Sequence, residues 1–476
     1  MPNLHAGNGL EKRHHTAAGR RHIGQVIDKT SVEHTKQARD DRVSLTGPPI
    51  SQSALIRAQV MARNNDPLYF LHIPKTAGTA FRNFLEDHFD QARFLRRWLV
   101  DEIAGCSPEE LSWFSAFAGH HGWFLPVLLG REPRVLTLLR DPVDRSLSHF
   151  CDLRRRADNW IYPIIHENKW SFEDFVLSPL GQSELTNFMV RNIALDRVHE
   201  DYWLHSHTRD TDFPALKRKY TDPHMLDKAM DRASRFLLFG HVERFNDALV
   251  LTAHRLGWAQ VRDFPKYNTR DGSRDNDEVT PRAADALAEI TALDQALFDE
   301  CVRRFDSDMA ALTPESIATD YRRAMAALPR VERAEWSFER PINGGGWLVR
   351  EWCKHPIFPD RDLCVRRMNP DSTPFVEVPL DSARAYEVRV HASIPGASSF
   401  PGIDVRANGV ALEGASWWGR YDERDGCVVS AALPADVIAR SPEFTRVEFV
   451  ARRSQNGAKP EPLLVRWLGI IPAMPR

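Results

Sequence analysis

The sequence predicts an α/β domain, a parallel sheet with helices on both faces, followed by an all-β sandwich. Two observations carry this. From Leu68 to about Leu328, short apolar runs alternate with helical segments, the pattern of a parallel sheet covered on both faces. After about Pro329, short alternating segments are separated by Gly, Pro, Asn and Asp turns, the spacing of a jelly-roll or immunoglobulin-like sandwich. The expected division is a disordered arm over residues 1–50, an α/β domain over 51–329 and a β-sandwich accessory domain over 330–476.

Each element has its own signal. Residues 1–50 are rich in His, Arg, Thr, Gly and Asp, with too few large apolar side chains to build a core. Leu68 to Ile73 reads as a buried strand, and Thr79 to Phe89 as the helix after it. Phe114 to Ala118 is a weaker strand; Arg134 to Leu139 is a strong one, with a helix from about Val143. Phe236 to Phe239 is a further apolar run before a helix over Phe245 to Leu256. Helices near 283–306 and 314–327 close the domain. Beyond them, Phe375–Val378, Tyr386–Val390, Val428–Ala432, Arg446–Ala451 and Leu463–Ile470 read as strands.

With 476 residues, the chain is long enough for two domains and a tail. It is 42% hydrophobic and 27% charged, ordinary for a globular protein. A net charge of −2 gives no global attraction to nucleic acid or membranes, so any anion site must be local. Six cysteines are scattered without a C-x-x-C pair, which predicts reduced thiols and no zinc site. The N-terminus lacks a signal-peptide core and no segment is apolar enough to span a bilayer, so a cytoplasmic protein is expected.

The stretch His72-Ile73-Pro74-Lys75-Thr76-Ala77-Gly78-Thr79-Ala80-Phe81 leaves a strand and opens a helix. Amides at a helix start form an anion site. Gly78 lets the backbone approach the anion, Thr76 and Thr79 add hydroxyl donors, and Lys75 adds a mobile positive charge. The lysine precedes the glycine, so this is not a Walker motif. A second strand-to-helix segment, Arg140-Asp141-Pro142-Val143-Asp144-Arg145-Ser146-Leu147-Ser148-His149-Phe150, has proline where a first helical turn takes it. Arg140 emerges at the carboxyl edge of the sheet, where open α/β sheets bind ligands. Arg145 reads equally as a surface ion pair with Asp141 or Asp144 and as a ligand contact.

Together, H-I-P-K-T-A-G-T and R-D-P-V-D-R-S-L-S-H-F resemble the 5′-phosphosulfate and 3′-phosphate segments of sulfotransferases that use 3′-phosphoadenosine 5′-phosphosulfate (PAPS). The nearest branch is the carbohydrate sulfotransferases related to heparan sulfate 2-O-sulfotransferase and their bacterial counterparts. The resemblance covers residues 67 to about 310. It implies a P-loop-like sheet and transfer of a sulfuryl group to a carbohydrate hydroxyl, with no metal. It also implies a cofactor-binding set of Lys75, Thr76, Ala77, Gly78, Thr79, Ala80, Arg140 and Ser148, with Lys75 catalytic as well. A Gly-His pair supplies the base in that family, which maps onto Gly119 and His120. Here His121 and Gly122 stand where bulkier residues are common, so the two histidines are open to exchanging roles.

Weaker segments carry resemblances of their own. Asn187 and Arg191 match an N-x-x-x-R segment, with a place near the ligand or on a solvated helix face both open. Gly240 to Phe245 is expected to cap and pack the next helix, while for Lys266 to Gly272 a lid over the nucleotide and a solvated charged loop are both open. For Trp347, Trp352, Trp417, Trp418 and Trp467, stacking on sugar rings and a place in the sandwich core are both open, most being expected in the core with one of the adjacent pair turned outward. Two other acceptors fit the same motifs, a peptide tyrosine and a lipid headgroup. The rival functions are a nucleotide-dependent phosphotransferase and a glycan-binding protein with an inactive transferase domain.

Overall fold

The computed structural model describes residues 66–196, 218–260, 278–354, 362–368, 373–393, 402–419, 426–452 and 463–473. The expected N-terminal arm and the Lys266–Gly272 segment lie outside these residues. So do the side chains of Trp417 and Trp418.

Five parallel strands form the first sheet: β1 (Leu68–Leu71), β2 (Phe94–Leu95), β3 (Ala116–Gly119), β4 (Arg134–Leu139) and β5 (Leu238–His241), in the order β2-β3-β1-β4-β5. Its strands are buried on both faces, as their unbroken apolar runs require. Leu68 and Phe70 face one helical layer, with Phe81 and Phe84 of the helix Gly78–Glu86 and Leu249 of Phe245–Leu256. Tyr69 and Leu71 face the other, with Met189 of Phe188–Ala194, Ala229 of Pro223–Ala233 and Leu297 of Ala292–Ala310.

Several elements depart from the sequence reading. The helix expected over 283–306 is two, Pro281–Ile290 and Ala292–Ala310, joined at Thr291. A third apolar cluster holds Phe150 and Leu153 against short helices at Ile161–Glu167, Phe172–Leu177 and Pro179–Leu185. None of these three was expected.

Two antiparallel sheets follow. One runs Val410–Ala411, Ile403–Ala407, Thr445–Ala451, Phe375–Val378, Gly344–Gly345; the other runs Gly414–Gly419, Gly426–Leu433, Tyr386–Ser393, Leu464–Pro472, Asp362–Met368, Trp347–Lys354, with Ala334–Trp336 beside Leu464–Pro472. Trp347 is in the core, Trp467 is half-buried against His391, and Trp352 is exposed.

The change of texture at Pro329 is not a break in packing. Tyr321, Met325 and Leu328 belong to the same apolar core as Val376, Val388 and Leu468, and the Tyr321 hydroxyl donates to Glu377 Oε2 at 2.6 Å. Arg366 and Asp87 form a buried ion pair at 2.5 Å between the two parts. Arg350 adds a hydrogen bond to the Phe89 carbonyl at 2.8 Å.

Among the described residues no helix is long and apolar enough to cross a membrane. None of Cys106, Cys151, Cys301, Cys353 and Cys364 forms a disulfide. No group of three or more His, Cys, Asp or Glu among the described residues is placed to hold a metal ion.

Candidate functional site

Parallel strands all present their carboxyl ends on one side, and a ligand crevice opens where the strand order reverses. Here β1 sends the chain to one side through β2 and β3, and to the other through β4 and β5. A cavity of about 850 Å³ lies at that edge. It is lined by residues following β1, β3, β4 and β5, large enough for a nucleotide-sized ligand.

The loop after β1 supplies Lys75, Ala77, Gly78, Thr79 and Ala80 to the cavity wall. Lys75 and Ala77 both take positive φ, 74° and 58°, a left-handed conformation unusual for residues with a Cβ. The helix Gly78–Glu86 begins at Ala77 without any side-chain cap. Amides at such a start are available to an anion. Lys75 Nζ lies 3.1 Å from Asp152 Oδ1, and both residues line the cavity.

One expectation for this loop changes. Thr76 is fully buried and does not line the cavity, and its hydroxyl donates to the Ile73 carbonyl at 2.8 Å. It braces the loop instead of offering a hydroxyl to a ligand. Gly78 lines the cavity, and glycine there also makes room for His72. A Cβ there would fall 1.7 Å from Nε2 of His72, so the imidazole occupies that space.

After β4, Asp141 caps the helix Pro142–Leu153 through Oδ1, which accepts from the amides of Val143 and Asp144, both at 3.0 Å. Arg140 reaches the cavity, donates to the Lys75 carbonyl at 3.4 Å and stands 3.7 Å from Asp144. Ser148, buried two turns into the helix, faces the same cavity. Helix and loop therefore bring Arg140 and Ser148 to one wall despite eight positions of separation. Arg145 takes neither expected place: it is buried with its guanidinium 4.3 Å over the ring of Phe188.

His120 and His121 end up on opposite sides of the chain after β3. His120 is half-buried and lines the cavity. Its Nδ1 lies 2.8 Å from the His72 carbonyl. A carbonyl only accepts, so Nδ1 carries the proton and the neutral ring keeps its lone pair on Nε2. Burial lowers its pKa to about 4, helped by the nearby Arg156, Arg82 and Lys75 charges and opposed by that hydrogen bond. His121 is fully buried, away from the cavity, its ring near that of Tyr69 and over Gly119. Burial takes its pKa to about 3.

The N-x-x-x-R pair is structural. Asn187 Oδ1 accepts from the amides of Leu293 and Asp294 at 3.0 and 3.2 Å, and Arg191 donates to the carbonyls of Ser183 and Glu184. Both are buried. The segment after β5 gives the helix Phe245–Leu256 no side-chain cap, against the capping expected of it, and Val242, Glu243, Arg244 and Phe245 reach the cavity. The sequence reading missed His72, Trp98, Asp152 and Arg156, which line it too. His72 and Asp152 stand inside or beside the quoted motifs; Trp98 lies on the loop after β2, which carries no motif.

No protein-family model matches the chain, and no curated protein matches it. Among solved structures the chain is similar to a family GH115 4-O-methyl-alpha-glucuronidase with specificity for decorated arabinogalactans, at 12% identity and a TM-score of 0.19. The match covers 79% of this chain and 49% of that one. The chain thus spans about half the length of that structure.

Proposed function

We propose that this protein is a sulfotransferase with a P-loop-like α/β domain, moving a sulfuryl group from PAPS to a hydroxyl of a carbohydrate. One observation carries the reading. The loop after β1, the Arg140–Ser148 wall and the His120 ring, three segments far apart in sequence, border one cavity at the carboxyl edge of the parallel sheet. The two motif resemblances assign the first two segments to a single bisphosphorylated nucleotide, and the Gly-His resemblance assigns the third to the base.

In this reading the uncapped amides from Gly78 and the Lys75 ammonium hold the phosphosulfate end, and Arg140 and Ser148 hold the 3′-phosphate. His120 is neutral at physiological pH and offers Nε2 to the acceptor hydroxyl. The acceptor oxygen bonds to sulfur as the bond from sulfur to the bridging oxygen breaks. The hydroxyl proton passes to Nε2, and the electron pair leaves on the 5′-phosphate, where Lys75 stabilises it. Asp152 holds Lys75 at the cavity wall. The carbohydrate acceptor rests on the resemblance alone.

3′-Phosphoadenosine 5′-phosphate should bind and raise the melting temperature without added metal. ATP, which lacks the 3′-phosphate, should stabilise far less. Equal stabilisation by ATP, or a requirement for Mg²⁺, contradicts the proposal. Transfer from radiolabelled PAPS to a panel of glycans, peptides and lipids then decides the acceptor class.

A further inference from the structure

We propose that His72 is a positioning residue whose ring seats the base His120 against the phosphosulfate loop. The role of His120 as base rests on the function proposed above; the seating itself does not. The His72 ring fills the gap between two segments. On one side it lies where a Gly78 Cβ would be, 1.7 Å from Nε2 and 1.8 Å from Cδ2. On the other, its centroid is 4.4 Å from that of His120, with the planes tilted by 36°. Phe70 stacks on it at 5.4 Å and Trp98 stands at 5.8 Å, so the ring is held from several directions.

The backbone of the same residue completes the arrangement. The His72 amide donates to the Gly119 carbonyl at 3.2 Å, and its carbonyl accepts the His120 Nδ1 proton at 2.8 Å. One residue thus fixes the tautomer of the base, its ring plane and its distance from the helix start at Gly78. His72 Nδ1 is buried without a hydrogen-bond partner. A buried ring nitrogen left unpaired is unfavourable, so the imidazole is kept here at some expense to stability. The charged and titratable groups that act on His120 are Arg156, Arg82 and Lys75, with the His72 and His121 rings beside it.

Diethyl pyrocarbonate acylates neutral imidazole, so the pH dependence of His120 modification, followed by peptide mass spectrometry, reports its pKa without any turnover. The native protein should keep its full modification rate down to about pH 5, given a pKa of about 4. In His72→Ala water enters beside the ring, and the midpoint should rise by about one pH unit or more. His72→Gln, whose planar amide reaches nearly as far as the imidazole, should recover most of the native profile. With PAPS and an acceptor, His72→Ala should lower kcat roughly 10- to 100-fold at saturating nucleotide, while affinity for 3′-phosphoadenosine 5′-phosphate changes less than about 3-fold. An unchanged modification profile in His72→Ala overturns the proposal, as does a His72→Gln variant as perturbed as alanine. If the native protein transfers no sulfuryl group, the functional reading fails, and the modification profiles still decide the seating of His120.

Discussion

The loops after β1 and β4 both open a helix where a parallel strand ends, and they treat the helix N-terminus in opposite ways. After β4, Asp141 satisfies the amides of Val143 and Asp144 with its own carboxylate. After β1, Ala77 in a left-handed conformation leaves the start of Gly78–Glu86 without a side-chain cap. The helix start after β4 has an internal anion already; the one after β1 has room for an external one. On the proposed function, an anion beside β4 is held by side chains, Arg140 and Ser148, and one beside β1 chiefly by backbone. The two ends of a bisphosphorylated nucleotide should consequently respond to mutation differently.

If the proposed function holds, the largest effect should fall between the two loops, on His120 as the base. His120→Ala should reduce kcat by roughly 10²-fold or more with nucleotide binding nearly intact. The base works when neutral, and burial sets its pKa to about 4. Activity limited by His120 should therefore stay level as pH falls from 8 to about 5 and drop only as protonation sets in near pH 4. A fall centred near 6.5, histidine's ordinary value, would mean that the ring is solvated during turnover. His121→Ala should act through stability, because its ring packs in the core away from the cavity. If His121→Ala alone is inactive, the assignment of the base is off by one residue.

Arg140→Ala comes next and tests the side-chain half of the comparison. On the proposed function it removes a charge-assisted contact made equally in ground and transition states, so affinity for 3′-phosphoadenosine 5′-phosphate should weaken about 10- to 100-fold. Turnover at saturating nucleotide should change far less. Normal binding with lost turnover would show that Arg140 has been misassigned.

Asp141→Ala attacks the cap itself. Loss of an N-cap aspartate costs about 1 kcal/mol of stability, read as a lower denaturation midpoint at constant slope. Binding should weaken only as far as Arg140 and Ser148 shift with the loosened helix start. An unchanged midpoint would mean that Asp141 is not what closes this helix.

Local features of the sequence foreshadowed the elements that build the site. β1, β4 and Phe245–Leu256 carry unbroken apolar runs or amphipathic spacing, and Pro142 marks a helix start in its own right. What stayed hidden depends on contacts across the fold. The helices between Ile161 and Ala194 have six or seven residues each, too short to form without tertiary packing. Strands Trp347–Lys354 and Asp362–Met368 are studded with charges that blur the alternation; Arg366 is buried only because Asp87, 279 positions earlier, meets it. Within the site, the motif predicted that position 78 is glycine-specific but did not reveal its neighbour His72. That the Cβ position is filled by His72 follows from how tightly the loop returns over the end of β1, a distance no spacing reveals.

The smallest effect should come from Thr79, and it tests the backbone half of the comparison most directly. Thr79 lies in the first turn of Gly78–Glu86 and lines the cavity, so both its amide and its hydroxyl are candidates to meet an anion. If backbone amides and the helix dipole supply most of the attraction, Thr79→Ala keeps the amide and loses only a neutral donor. A neutral hydrogen bond contributes about 1 kcal/mol, so affinity for 3′-phosphoadenosine 5′-phosphate should fall by no more than about 5-fold. Thr76→Ala controls for the loop itself, because it removes the brace to the Ile73 carbonyl while leaving its amide in the chain. It should lower stability by about 1 kcal/mol and disturb binding only through the altered loop. Should Thr79→Ala match Arg140→Ala in lost affinity, the hydroxyl is the principal contact. The two ends of the nucleotide would then be held in the same way, and the contrast between an uncapped and a capped helix start would have no part in recognition.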